Sequence, residues 1–349
     1  MGSVKNRFFI ETDMFGELST RISDVPEIKK YIKYGKADVY TDITEDELTE
    51  IMCDYHEPIG NEDKRKAFIR DFYAIIQKES GPKPAKEFFS KVKDNPIYYF
   101  KDEPNAIFFT TKPMAERENI MDNYGVWMIG SEDLNDTFLE PYTDDFEPRT
   151  MFGAERDGWA SIREKVGRFP SSSMIVIDNF ITAFDNETKE LPGLANLRSI
   201  IDNFVSERLL VDSYNILVVT QQRSVNHYLR RDILSWIGKL KRDYPKIKIQ
   251  FLFSSQTPEH DRWIFFNYGS FECGKGFRIF EPSSNIVHYE GNYKPYHFSA
   301  SKYISQCSLS GKTPLERAHS IMEEVCNLYK RDDVVTTIIG DEILDFSII

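Results

Sequence analysis

MIVID at 174–178, ILVV at 216–219 and IKIQFLF at 247–253 are the three runs whose reading decides the fold. Each is short, apolar and rich in β-branched or aromatic side chains, the pattern of a strand covered on both faces. After the first run, Leu197, Ile200, Ile201, Phe204, Val205 and Leu209 recur at steps of three and four, which is one face of a helix. After the second, Leu229, Ile233, Trp236, Ile237 and Leu240 do the same. A β-α-β-α-β order implies a parallel sheet with right-handed crossovers, and ligands of such sheets bind beyond the carboxyl ends of the strands. Asp178, Gln221, Gln222 and the loop from Ser254 to His260 are expected at that edge.

Beyond the third run, Trp263 to Phe266, Ser270 to Cys273 and Phe277 to Phe280 read as strands separated by glycine turns. Thr313-Pro314-Leu315-Glu316 reads as a helix start, with Thr313 as cap, Pro314 first in the helix and Glu316 completing the capping box. That helix is expected to run to about Lys330. Upstream, RFFIETD at 7–13 is a strand candidate, and helical stretches are expected around 44–55 and 63–78. Ala106 to Thr110, Pro113 to Asn123 and Gly125 to Ile129 form a compact strand–helix–strand unit. The fold class expected is α/β in two domains, the second a mixed or parallel sheet flanked by helices and closed by a C-terminal helix.

A length of 349 residues suits two domains, each large enough to bury a core. The boundary is expected between the acidic stretch Asp133 to Glu147 and the turn-like FPSSS before Met174, which separates residues 1–150 from 151–349. Charge divides at the same place. Residues 1–150 carry 20 Lys and Arg against 31 Asp and Glu, a balance of −11, while the remainder carries 24 against 25. An acidic first domain repels a polyanion, and a near-neutral second one has room for a local basic patch. Cys53, Cys273, Cys307 and Cys326 are scattered and form no CxxC pair, which excludes a cysteine-rich zinc site and suits a reducing compartment. No apolar run approaches the ~18 residues of a spanning helix, and no signal region precedes the first acidic residues. Asn6 stands where the myristoylation pattern needs Ser or Thr. The expected location is cytoplasmic.

The segment 257–282, TPEHDRWIFFNYGSFECGKGFRIFEP, carries the chemistry. His260 and Arg262, two apart at a strand start, point to the same side. A cation neutralises phosphate charge, and an imidazole donates a hydrogen bond to it or attacks phosphorus. Gly274 and Gly276 permit close backbone approach around Lys275. The order His260-x-Arg262-x4-Asn267, six residues, then Gly274-Lys275-x-x-Arg278 resembles the phospholipase D-like superfamily. That family has His-x-Lys-x4-Asp and then Gly-Ser-x-x-Asn at the same spacing. The resemblance covers about residues 170–300 and a single motif copy, whereas active enzymes assemble two. Here the lysine is Arg262 and the aspartate is Asn267, so the cationic character is kept and the carboxylate lost. In this respect the segment is similar to the degenerate branch found in the C-terminal domain of MIT-domain proteins, which implies phosphate or phospholipid binding and dimerisation.

The function expected from this resemblance is an intracellular protein that binds or cleaves a phosphodiester polymer, nucleic acid foremost, with phage defence or nucleic-acid processing as the settings analogy suggests. His260 would be nucleophile or hydrogen-bond donor, Asn267 would orient its ring, and Arg262, Lys275 and Arg278 would clamp phosphate. The alternatives are a non-catalytic phospholipid-binding, dimerisation or scaffold module, or a plain turn with a local ion pair at His260-Asp261-Arg262. Residues 223–248 hold Arg223, Arg230, Arg231, Lys239, Lys241, Arg242, Lys246 and Lys248 against Asp232 and Asp243, a second candidate surface for nucleic acid or anionic lipid, or simply a solvated helix face. The first half resembles a PIN-like nuclease domain, which implies carboxylates holding Mg²⁺ or Mn²⁺, with Asp13, Asp38, Asp42, Glu45 and Asp133 as candidates. No other cofactor is expected. Gly311-Lys312-Thr313 lacks the glycine five residues earlier that a nucleotide loop needs, since Gln306 stands there. The remaining histidines show no metal-ligand spacing.

Overall fold

The computed structural model describes residues 5–14, 37–44, 46–47, 83–135, 159–166, 170–184, 191–221, 225–256, 262–273, 293–298, 314–331 and 335–343. The expected helices at 44–55 and 63–78, the strand Phe277–Phe280 and the Thr313 cap lie wholly or largely outside them. The chain forms two compact units, one of 1–141 with 298–316, the other of 142–297 with 317–349. Both have the α/β architecture.

The first unit contains β1 (Asn6–Ile10), β2 (Ala37–Thr41), β3 (Lys83–Pro84), α1 (Lys86–Asp94), α2 (Ile97–Asp102), β4 (Ile107–Phe109), α3 (Met114–Tyr124) and β5 (Trp127–Ile129). The strands form one sheet in the order β3-β2-β1-β4-β5. All four pairings are parallel. Phe9, Val92, Tyr99, Phe108, Ile120 and Met128 share a core beneath the helices. The order reverses between β1 and β4, and a doubly wound sheet opens its crevice at such a point. Gly125 ends α3 in the left-handed region at φ 67°, with its N–H on the Met121 carbonyl at 2.9 Å. The turn into β5 therefore needs no extra loop.

The second unit contains α4 (Trp159–Val166), β6 (Ser173–Ile177), α5 (Pro192–Phe204), β7 (Tyr214–Gln221), α6 (His227–Asp243), β8 (Ile247–Ser254), β9 (Arg262–Phe266), β10 (Gly269–Cys273), β11 (Tyr293–His297), all but the first three residues of α7 (Pro314–Tyr329) and β12 (Val335–Gly340). The sheet order is β11-β10-β9-β6-β7-β8-β12. The centre β6-β7-β8 is parallel. The flanks are antiparallel, with β9 on β6, β10 on β9, β11 on β10 and β12 on β8. The three apolar runs are thus the parallel centre, and the sheet as a whole is mixed.

α5 stops at Phe204, short of the expected face. Val205 turns extended at φ −89° and ψ 130°, and the Ser206 hydroxyl accepts the Arg208 N–H at 3.2 Å. Leu209 is buried from the loop instead of from the helix. The other helix carries the expected apolar face, and at its start the Asn226 side-chain oxygen Oδ1 accepts the Leu229 N–H at 2.9 Å and caps α6.

One glycine fixes how β6 hands over to α5. Asp178 follows β6, and its carboxylate accepts the Phe180 N–H at 2.8 Å, folding 178–183 into successive turns with Ala183 N–H on the Phe180 carbonyl. Gly193, in the first turn of α5, lies so close under this loop that a Cβ there would stand 2.0 Å from the Ile181 carbonyl oxygen. The obstacle is backbone, so relief requires the loop or the helix to move. Gly193→Ala is expected to cost about 1–3 kcal/mol in urea unfolding. A variant as stable as the parent would show that the two segments are not in this contact.

Candidate functional site

The expected site residues separate along β9. Arg262 opens the strand, one residue beyond the pair Trp263 and Ile177, so it stands at the carboxyl edge of the parallel centre beside Asp178. Its Nε lies 4.0 Å from Asp178 Oδ1, and its guanidinium carbon sits 5.1 Å from the centre of the Phe180 ring. Asn267 follows the other end, after the pair Phe266 and Met174. Five residues of strand place it roughly 16 Å from Arg262. Its side-chain oxygen accepts the backbone N–H groups of Ser172 at 2.8 Å and Ser173 at 3.3 Å. Asn267 therefore anchors the entry of β6 to the β9–β10 turn, at the opposite end of β9 from Arg262. His260, Gly274, Lys275, Gly276 and Arg278 lie outside the described residues.

The carboxyl edge next to Arg262 opens into a cleft of about 700 Å³. Its walls come from the loop after β6 (Asn179, Phe180, Phe184), the end of β7 (Gln221), the first two turns of α6 (Tyr228, Arg231) and Phe253 of β8. Asp178 leaves β6 beside this wall, as expected for the edge of a parallel centre. Arg231 lies 5.5 Å from the centre of the Tyr228 ring and also reaches Asp232 at 3.0 Å. The His227 ring leans on the Tyr228 ring at 3.8 Å. Asn179 Oδ1 is buried in the wall with no hydrogen-bond partner among the described residues.

The basic run of α6 does not form one patch. Arg230 and Arg231 stand in the first turns, near the cleft, whereas Lys239 and Arg242 lie roughly 12–18 Å further along the helix. Lys241 pairs with Asp341, and Lys246 donates to the Leu209 carbonyl at 2.8 Å. Sequence reading placed Gln221 and Asp178 at this edge but missed the Phe180, Phe184 and Tyr228 rings. Their signal was available: Phe180 and Phe184 sit in a polar loop immediately after a strand, outside any period that would bury them.

Carboxylates of the first unit gather at the carboxyl edge of its sheet only in part. Glu11, one residue beyond β1, accepts the Thr110 hydroxyl at 2.6 Å. Asp42, one beyond β2, accepts the Thr12 N–H at 2.9 Å and also its hydroxyl. Asp133 is held by Arg117 at 2.9 Å and by the Gly130 N–H at 2.6 Å. Arg117 is 2 % exposed and also pairs with Glu132 at 2.8 Å. Asp38 sits near the start of β2, between Lys5 and Lys83, and so faces the wrong end. Asp13 is exposed, and Glu45 lies outside the described residues. Among the described residues no three Asp, Glu, His or Cys side chains converge to hold a metal ion. An internal guanidinium already neutralises the carboxylate that would be the third ligand. The described donors alone do not make the Mg²⁺ or Mn²⁺ centre that the PIN-like resemblance implies.

No family model matches the chain, and no curated protein matches it. Among solved structures it aligns with TrmBL2, an archaeal chromatin protein whose structure is described as showing a novel mode of DNA binding. The alignment covers 85 % of this chain and 84 % of that one at 9 % identity, with a TM-score of 0.21. A superposition this loose fixes neither a shared fold nor a shared activity. No helix among the described residues is long and apolar enough to cross a membrane.

Burial, the largest influence, raises the Glu11 carboxyl above its ordinary value, against the lowering effect of the Thr110 hydroxyl, Lys112 and the Thr111 amide. The neighbouring Asp42 charge adds to the rise. A raised carboxyl favours the protonated form in the folded state. Its contribution to stability is complete below the ordinary carboxyl value and is lost as pH climbs through the raised one. Glu11→Gln keeps an acceptor for Thr110 and removes this loss. Its stability relative to the parent is expected to improve between about pH 4 and pH 7 in chemical unfolding. A difference that stays flat across that range would contradict the assignment.

Proposed function

We propose that the second unit binds a phosphodiester polymer, specifically nucleic acid, at the carboxyl edge of its mixed sheet. The observation that carries this reading is the placement of Arg262. It sits at the edge where parallel sheets take ligands, beside a cleft whose far wall supplies a second, exposed arginine, Arg231. Two guanidinium groups offer planar, bidentate recognition of phosphate oxygens. The phospholipase D-like resemblance adds His260, two residues ahead of Arg262, as hydrogen-bond donor or nucleophile. The described residues support binding over hydrolysis. Asn267, standing where the family keeps its aspartate, is spent on the β6 entry. The guanidinium groups at this edge recognise charge and shape.

Binding by phosphate contacts releases counterions, so affinity falls steeply with salt. Fluorescence anisotropy with a labelled oligonucleotide is expected to show binding at about 50 mM salt that weakens by an order of magnitude or more at about 200 mM. Arg231→Ala, on an exposed side chain, is expected to weaken binding and reduce the salt slope by about one. Arg262→Ala is expected to do the same, with its fold checked by thermal melting. Absence of binding to either DNA or RNA, with co-sedimentation on anionic vesicles instead, would replace this reading by the phospholipid-binding one.

A further inference from the structure

Burying aromatic rings is what drives this chain to fold, and 26 Phe and 18 Tyr make it rich in them. Among the described residues three aromatic side chains are nevertheless strongly exposed: Phe180 at 42 %, Phe184 at 49 % and Tyr228 at 56 %. All three line the same cleft. They come from two different elements, the loop after β6 and the first turn of α6, so their meeting is a product of the tertiary fold. Two of them carry a guanidinium at their ring, Arg262 at Phe180 and Arg231 at Tyr228.

We infer that this cleft is a stacking site for unpaired bases, so that the protein takes single-stranded nucleic acid in preference to duplex. The inference rests on the nucleic-acid reading above and narrows it. Phe180 and Phe184 are the platforms, and Tyr228 with Arg231 forms the opposite, cationic wall. Base–aromatic stacking needs a π-face open to solvent, and in a duplex the bases are already stacked on each other, which leaves none for these rings. Guanidinium groups beside the rings serve the phosphates that alternate with the bases. Asn179 Oδ1, buried in the same wall without a partner among the described residues, is an acceptor for an N–H on a base edge. A lipid surface fits less well, because insertion into a bilayer uses apolar side chains that project from a protruding face, whereas these rings line a concavity.

Three probes of equal length and label separate the possibilities: a thymidine oligonucleotide, the same sugar–phosphate chain without bases, and a duplex. Anisotropy titration of the full chain is expected to show the thymidine oligomer bound about tenfold or more tightly than the abasic chain or the duplex. Phe184→Ala and Tyr228→Ala are each expected to weaken that binding roughly 5- to 100-fold and leave the abasic chain nearly unaffected. Phe184→Trp and Tyr228→Phe keep a ring and are expected to retain it, which separates loss of stacking from loss of fold. Equal affinity for thymidine oligomer and abasic chain overturns the stacking site and leaves general phosphodiester binding standing. Absence of binding to all three overturns both. Tighter binding to duplex, or to anionic vesicles alone, also overturns it.

Discussion

β6 has no face left for water. Ser173 to Ile177 are buried without exception, so helices or loops must cover both sides and a strand must lie along each edge. The two edges are filled differently, by β7 running parallel and β9 running antiparallel. A parallel neighbour ends where β6 ends, and an antiparallel neighbour begins there. The carboxyl edge therefore receives the exit of β6, the exit of β7 and the entry of β9 together. Asp178, Gln221 and Arg262 meet in one place through this arrangement, although 84 residues separate the first from the last. The same antiparallel pairing sends Asn267 to the opposite end, where its amide ties β9 back to the Ser172–Ser173 entry.

How much of this could be read in the sequence follows from which forces act locally. The β6, β7 and β8 runs and the face of α6 announce themselves, because a doubly covered strand or a one-sided helix needs a fixed apolar pattern. β11 and β12 do not. YKPYH and VTTIIG are edge strands, paired on one side only, and an edge asks little of composition. β2 and β3 escaped for the same reason of shortness and mixed character. The pairing of His260 with Arg262 rests on the i, i+2 rule, and His260 lies outside the described residues. Asn267 enters through the motif spacing instead, and five residues of straight strand carry it to the far end of β9 from Arg262.

The carboxyl edges of the two sets of parallel strands carry different chemistry. In the first unit the carboxyl edge is acidic but internally balanced. Arg117 is buried and takes up Glu132, Asp133 and the Lys112 carbonyl at once, and Thr110 and Thr12 occupy Glu11 and Asp42. Removing a guanidinium from water costs several kcal/mol and is offset only where such partners are already in position. An arrangement of this kind holds β4, α3 and β5 in register and leaves little charge to spend on a ligand.

The second edge is built the other way. Arg262 stands at the limit of ion-pair distance from Asp178, and its guanidinium lies against the Phe180 ring. A guanidinium against an aromatic face is attracted by the ring quadrupole and is more weakly hydrated than an ammonium. Arg231 repeats the pairing on Tyr228 across the cleft. Stability alone gives no reason to leave three large rings in solvent in a chain that buries most of the others described. The unfavourable exposure is concentrated in one concavity. What distinguishes this edge is therefore the combination of exposed rings with guanidinium groups packed against two of them.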